Sequence, residues 1–150
     1  MVPFTTHMAL ALSQARDAAL RGEVPVGAVV TDPQGRVVAA AGNRTRELSD
    51  PTAHAEILAI RAACRSAGSE RLPGHDLWVT LEPCPMCAAA ISAARIGRLY
   101  YGAGDVRMGG VEHGARVFDH PQCHHRPQVY DGIGRDQARA LLQGFFQTRR

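Results

Sequence analysis

Residues 77–102 read LWVTLEPCPMCAAAISAARIGRLYYG, and this stretch decides the fold. Leu77 to Leu81 is a short apolar run of strand length. Cys84 to Ala94 has helical composition, and Pro85 stands where a proline can open a helix. Arg98 to Tyr101 is a second strand, bounded by Gly97 and Gly102. Strand, helix and strand in succession predict parallel pairing through a right-handed crossover.

The flanks extend the same alternation. Upstream, Ala53 to Ala67 reads as a helix, with Ile57, Ile60 and Ala63 at helical spacing and Gly68 as its stop. Thr52, after Asp50-Pro51, is its candidate N-cap. Pro25 to Thr31 and Arg36 to Ala41 are strand-like, and Asp32-Pro33-Gln34-Gly35 suits a type I turn between them. Thr5 to Leu20 is an amphipathic helix with Met8, Leu12, Ala15 and Ala19 on one stripe, ended by Arg21-Gly22. Downstream, residues 103–126 are rich in Gly and His and show no periodicity. Val129-Tyr130 is a last short strand, and Asp136 to Phe146 a closing amphipathic helix. No repeat, low-complexity tract or linker divides the chain, so the 150 residues are expected to form one α/β domain.

Helices that follow parallel strands begin at one edge of the sheet, outside the strands' carboxyl ends, where ligand sites form. The helices starting near Ala53 and Cys84 should therefore bring their N-termini together. The first carries His54-Ala55-Glu56 and the second Pro83-Cys84-Pro85-Met86-Cys87. One His and two Cys are a ligand set for catalytic zinc, which takes three protein ligands and keeps its fourth place for water. Cys84 and Cys87, three apart in a first helical turn, can chelate one ion, and the helix dipole there favours thiolates. His54 and Glu56, two apart, share a site only where the chain is still entering its helix. Zinc brings the pKa of water from about 15.7 toward 7. A carboxylate beside the metal but not bound to it can then carry the proton, and Glu56 is placed for that role. The competing reading is a closed structural zinc, which needs a fourth ligand; Cys123 and the His120, His124, His125 cluster are the candidates. A bare CxxC is weak, whereas HxE followed by PCxxC is the general signature of the zinc deaminases of nucleobases.

From these residues the chain resembles the bacterial tRNA-specific adenosine deaminases, within the cytidine/deoxycytidylate deaminase superfamily. The likeness runs through residues 23–29 (EVPVGAV), Gly42-Asn43-Arg44, Asp50 to Ile57, Thr80 to Cys87, Arg95 to Arg98, Tyr101-Gly102-Ala103 and Phe145-Phe146. It implies a three-layer α/β/α cytidine-deaminase-like fold with a central five-stranded mixed sheet, and one Zn2+ per subunit. It also implies a homodimer that holds a tRNA anticodon stem-loop and turns the wobble adenosine into the zinc pocket. By the same likeness Asn43 meets the purine ring edge, the Ala55 N–H meets the oxygen developing at C6, and Asp105 lies beside the preceding nucleotide. A free-base or nucleotide deaminase of guanine or cytosine type is the alternative within the superfamily. A non-catalytic RNA-binding module with structural zinc is the alternative outside catalysis, against which an intact Glu56 argues.

Composition sets the bounds. A net charge of +3 permits a polyanionic partner without demanding one. All 17 basic residues are Arg, which suits phosphates and base stacking but equally reflects compositional bias. The N-terminus Met1-Val2-Pro3-Phe4 has no secretory character, and no apolar run approaches membrane-span length, so a cytoplasmic location is expected. Among the remaining residues, Cys64 is expected in the core and Cys123-His124-His125 at a packed corner or near nucleic acid. His7, His75 and His113 are expected on the surface, and only one of Phe145 and Phe146 in the core. Arg135, Arg139, Arg149 and Arg150 either contact phosphate or form a solvated face.

Overall fold

The computed structural model describes residues 6–148. Thr5 and the stretch before it, together with Arg149 and Arg150, lie outside the described residues. The elements in chain order are α1 (Thr6–Leu20), β1 (Gly27–Thr31), β2 (Val37–Gly42), α2 (Ala55–Ala67), β3 (Asp76–Leu81), α3 (Pro85–Ala93), β4 (Arg98–Ala103), β5 (Gln128–Tyr130) and α4 (Arg135–Gln147). A single 3-10 turn, Val117–Asp119, interrupts the segment before β5.

The five strands form one sheet in the order β2-β1-β3-β4-β5. β1 is antiparallel to both β2 and β3, while β3, β4 and β5 run parallel. The sheet is therefore mixed, as the resemblance implies. β2 and β3 both oppose β1 and so share a direction, which gives α2 and α3 equivalent crossovers that begin at the same sheet edge.

Period-two alternation assigns the layers. Ala28, Val30, Leu77, Val79, Leu99 and Tyr101 point to one face and pack with Ala59, Ile60 and Ala63 of α2 and Ala88 and Ile91 of α3. Val29, Trp78 and Tyr100 point to the other and pack with Met8, Ala11 and Leu12 of α1 and Ala138 of α4; Ala103, at the end of β4, joins this second cluster out of the alternation. Both faces are covered, so β1 is buried along its whole length, although it pairs antiparallel on both sides. On the α1 side Trp78 stacks on Tyr100 at 3.9 Å and Tyr100 on Tyr130 at 5.0 Å, a ladder across three strands.

Most boundaries agree with the sequence reading to within two residues. The α1 stripe differs slightly, because Ala18 is buried and Ala19 only partly so. Gly68 ends α2 in the left-handed conformation at φ 67°, which a residue without Cβ adopts freely. Phe145 is buried and Phe146 exposed. No helix among the described residues is long and apolar enough to cross a membrane.

Candidate active site

His54 and Cys84 occupy equivalent places: each is the extended residue that caps its helix, at ψ 153° before α2 and ψ 171° before α3. Their side chains project off the helix ends rather than along a helix face. Glu56 and Cys87 then fall in the first turns of the two helices. This entry geometry lets His54 and Glu56 serve one site despite their spacing. Thr52 does not cap α2. Its N–H and hydroxyl both go to Asp50 Oδ1, at 2.8 and 2.7 Å, closing a turn ahead of the helix. The first helical N–H, of Ala55, is instead taken by Asn43 Oδ1 at 2.8 Å. The cap thus arrives from the end of β2.

The His54 Nδ1 stands 3.6 Å from Cys84 Sγ and 3.4 Å from Cys87 Sγ. All three donor atoms lie within 4.8 Å of one another, and among the described residues they are the one cluster of at least three metal-ligating groups. Zinc bonded tetrahedrally to sulfur at about 2.3 Å and to imidazole nitrogen at about 2.0–2.1 Å sets such donors about 3.6 Å apart. The observed spacings match that edge, and the soft donor set suits zinc. The candidates for a closing fourth ligand are elsewhere. Cys123 Sγ lies 3.3 Å from Ser92 Oγ and 3.1 Å from the His125 carbonyl, and His125 Nε2 lies 2.6 Å from the Ile96 carbonyl. His120 Nε2 contacts the Ala115 carbonyl. Cys123 and His125 form a packed corner, not a metal knuckle. Cys64, expected in the core, is only half-buried against it.

The two cysteines divide their protons unequally. A hydrogen bond from Cys87 and a second contact with His54 hold the Cys84 thiol down to about 4, while the same exchange and burial keep the proton on Cys87. The Cys84 sulfur in turn raises the His54 imidazole. Glu56 is 4% exposed and beside Cys87. Burial pushes its carboxyl from 4.5 up to about 7, against the opposing pull of a backbone N–H and His54. A carboxyl that exchanges its proton near neutrality is what general acid–base work requires.

Two carboxylates with no assigned part in the sequence reading support the loops at this edge. Glu23, 1% exposed, accepts the N–H groups of Arg46 and Glu47 at 3.2 and 2.8 Å and so shapes the loop after Asn43. Glu82 does the equivalent for the loop containing Asp105. His113 is not a plain surface residue, since its Nδ1 lies 2.6 Å from Glu82 Oε1. The available sequence signal for both was an acid set in an otherwise apolar motif, Glu23-Val24-Pro25-Val26 and Leu81-Glu82-Pro83.

Comparison with known proteins agrees with this geometry. Residues 3–103 match the family described as the cytidine and deoxycytidylate deaminase zinc-binding region. The chain is 58% identical over 150 residues to the tRNA-specific adenosine deaminase of Agrobacterium fabrum, covering 100% of this chain and 98% of that one. It is 45% identical over 141 residues to the protein of the same description from Rickettsia bellii, covering 93% and 97%. A solved structure from work on A-to-I editing by tRNA:A34 deaminases at the wobble position superimposes with TM-score 0.90 at 60% identity, covering 92% and 99%.

Proposed function

This chain belongs to the cytidine and deoxycytidylate deaminase zinc-binding family, and we propose that it hydrolyses the wobble adenosine of a tRNA anticodon to inosine, releasing ammonia. The observation that carries this reading is a three-donor cluster with no fourth protein ligand among the described residues, beside a buried carboxyl that is not part of it.

His54, Cys84 and Cys87 would hold the ion. Zinc supplies there the Lewis acidity that makes a water nucleophilic at neutral pH. Glu56 handles the protons. Its carboxylate accepts one from the attacking water and delivers it to N1 of the purine. It then takes the second and passes it to the amine, which leaves as ammonia while the C6 oxygen becomes the inosine carbonyl. One water enters and one ammonia departs, so the balance closes without a further reactant. Burial of Glu56 keeps its protons from leaking to solvent between the two transfers.

Asn43, the Ala55 N–H and Asp105 form the substrate-binding set of this proposal. Asn43 Oδ1 is already engaged by Ala55. While that bond holds, its amide NH2 is the group left for the purine edge, and the Ala55 N–H meets the C6 oxygen through a three-centre bond shared with Asn43 Oδ1. The chain is proposed to act as one domain, as a homodimer, in the cytoplasm.

The test is incubation of zinc-loaded protein with an anticodon stem-loop carrying a wobble adenosine, alongside free guanine, cytosine, adenosine and cytidine. Inosine in the stem-loop alone supports the proposal. Ammonia from a free base moves the activity to small substrates, and silence throughout removes the enzyme reading. Sedimentation of the same sample gives the subunit number.

A further inference from the structure

Residues 104–114 form a loop without helix or strand at the mouth of the site, yet their backbone is closely held. The holder is Glu82, the residue after β3 and two before Cys84. It is 2% exposed. Its Oε1 accepts the Asp105 N–H at 2.9 Å and lies 2.6 Å from His113 Nδ1. Its Oε2 accepts the N–H groups of Val111, Glu112 and His113 at 3.1, 2.9 and 3.0 Å. Every one of these partners lies between residues 105 and 113. Fit is as specific as bonding: a Cβ on Gly109 would fall 2.5 Å from Glu82 Oε2, and one on Gly110 would fall 2.6 Å from the Pro85 nitrogen. Gly110 also donates its N–H to the Pro83 carbonyl at 2.8 Å, which seats the loop against the entry to α3. One anion therefore gathers a nine-residue turn, where a loop of this kind left to itself would sample many shapes.

The loop presents chemistry suited to RNA. Val106 and Met108 are 78% and 66% exposed, with Arg107 exposed between them. The same segment walls a cleft of about 430 Å³ lined in part by Val106, Arg116, Arg135 and Arg139 together with Glu112 and Asp131, the last paired to Arg135 at 3.3 Å, which leaves Arg116 and Arg139 as the cations for phosphate. Exposed aliphatic side chains can pack against bases, and the guanidinium groups between them can stack on bases and meet phosphates.

We propose that Glu82 is a positioning residue, whose buried carboxylate holds residues 105–113 as a preformed seat for the RNA flanking the reacting base. This rests on the tRNA reading above. The test is Glu82→Gln, which keeps the shape but sets an amide NH2 against N–H donors. Amide hydrogen exchange of the zinc-loaded variant should accelerate about 10- to 100-fold at Asp105, Val111, Glu112 and His113. The KM for the stem-loop should rise roughly 10-fold, with kcat within about threefold and zinc still one per chain. Gly109→Ala, which drives a methyl onto both the Asp105 carbonyl at 2.4 Å and Glu82 Oε2 at 2.5 Å, should raise the KM in the same way and tests the seat itself if Glu82→Gln does not fold. Unchanged protection of those amides, or an unchanged KM, overturns the proposal. Wild-type protein silent on the stem-loop would instead refute the tRNA reading, while the exchange measurement still judges Glu82.

Discussion

Replacing Glu56 by Gln should abolish turnover and at the same time stabilise the metal-free protein. The first effect follows from losing the proton carrier: a positioned acid–base group contributes about 10²–10⁴-fold, so inosine formation should fall by at least two orders of magnitude. The second follows from burial. The distance from 4.5 to about 7 corresponds, at about 1.4 kcal/mol per pKa unit, to roughly 3 kcal/mol of strain on the ionised form. The sign is fixed. A carboxyl whose folded pKa lies above its unfolded value costs nothing below about pH 4.5; the cost grows as pH rises and is complete above 7. Gln carries no such cost. Urea unfolding of chelator-treated wild type and variant should therefore coincide near pH 4.5 and separate by up to about 3 kcal/mol near pH 7.5, the variant being more stable. Equal stability at both pH values would refute the claim that Glu56 is a buried, strained carboxyl. Inosine formation above about a tenth of the wild-type rate would refute its role as proton carrier.

Three further outcomes follow from the geometry. Chelated protein at pH 6 should be alkylated by iodoacetamide at Cys84 first, since its thiol is held down to about 4 while burial raises Cys64; zinc should protect it, and peptide mapping that finds equal labelling would contradict the site. Asn43→Ala leaves the buried Ala55 N–H without its 2.8 Å partner and should cost about 1–3 kcal/mol of stability in urea unfolding; a wild-type midpoint would show that Asn43 does not cap α2. Binding of the anticodon stem-loop should weaken linearly in log–log terms as salt rises, measured by fluorescence anisotropy between about 50 and 200 mM salt; a flat response would exclude phosphate contacts.

The readable parts of the chain were those whose partners are close in sequence or recur with a period. His54 and Glu56 straddle one helix entry, and Cys84 and Cys87 one first turn, so windows of three and four residues sufficed to propose the two halves of the site. The apolar run Leu77 to Leu81 was legible as a strand from its length and composition alone. The misread residues have remote partners. Thr52 satisfies the local rule for a cap, but a local rule cannot see that Asn43, 12 residues before Ala55, is delivered by the end of β2 to the Ala55 N–H. His113 carried no pattern at all, because its partner Glu82 is 31 residues away.

By itself, then, the order of residues determined the alternation of elements and put forward His54, Cys84 and Cys87 as one ligand set with Glu56 beside it. Tertiary structure alone decided which side chain caps α2, how far burial lifts the Glu56 carboxyl, and that Glu23 and Glu82 shape the loops at the mouth. The division has one physical cause. Helices, strands and chelating turns are stabilised by neighbours along the chain, whereas desolvation and the pairing of a buried anion depend on groups that only the folded sheet brings within hydrogen-bond reach.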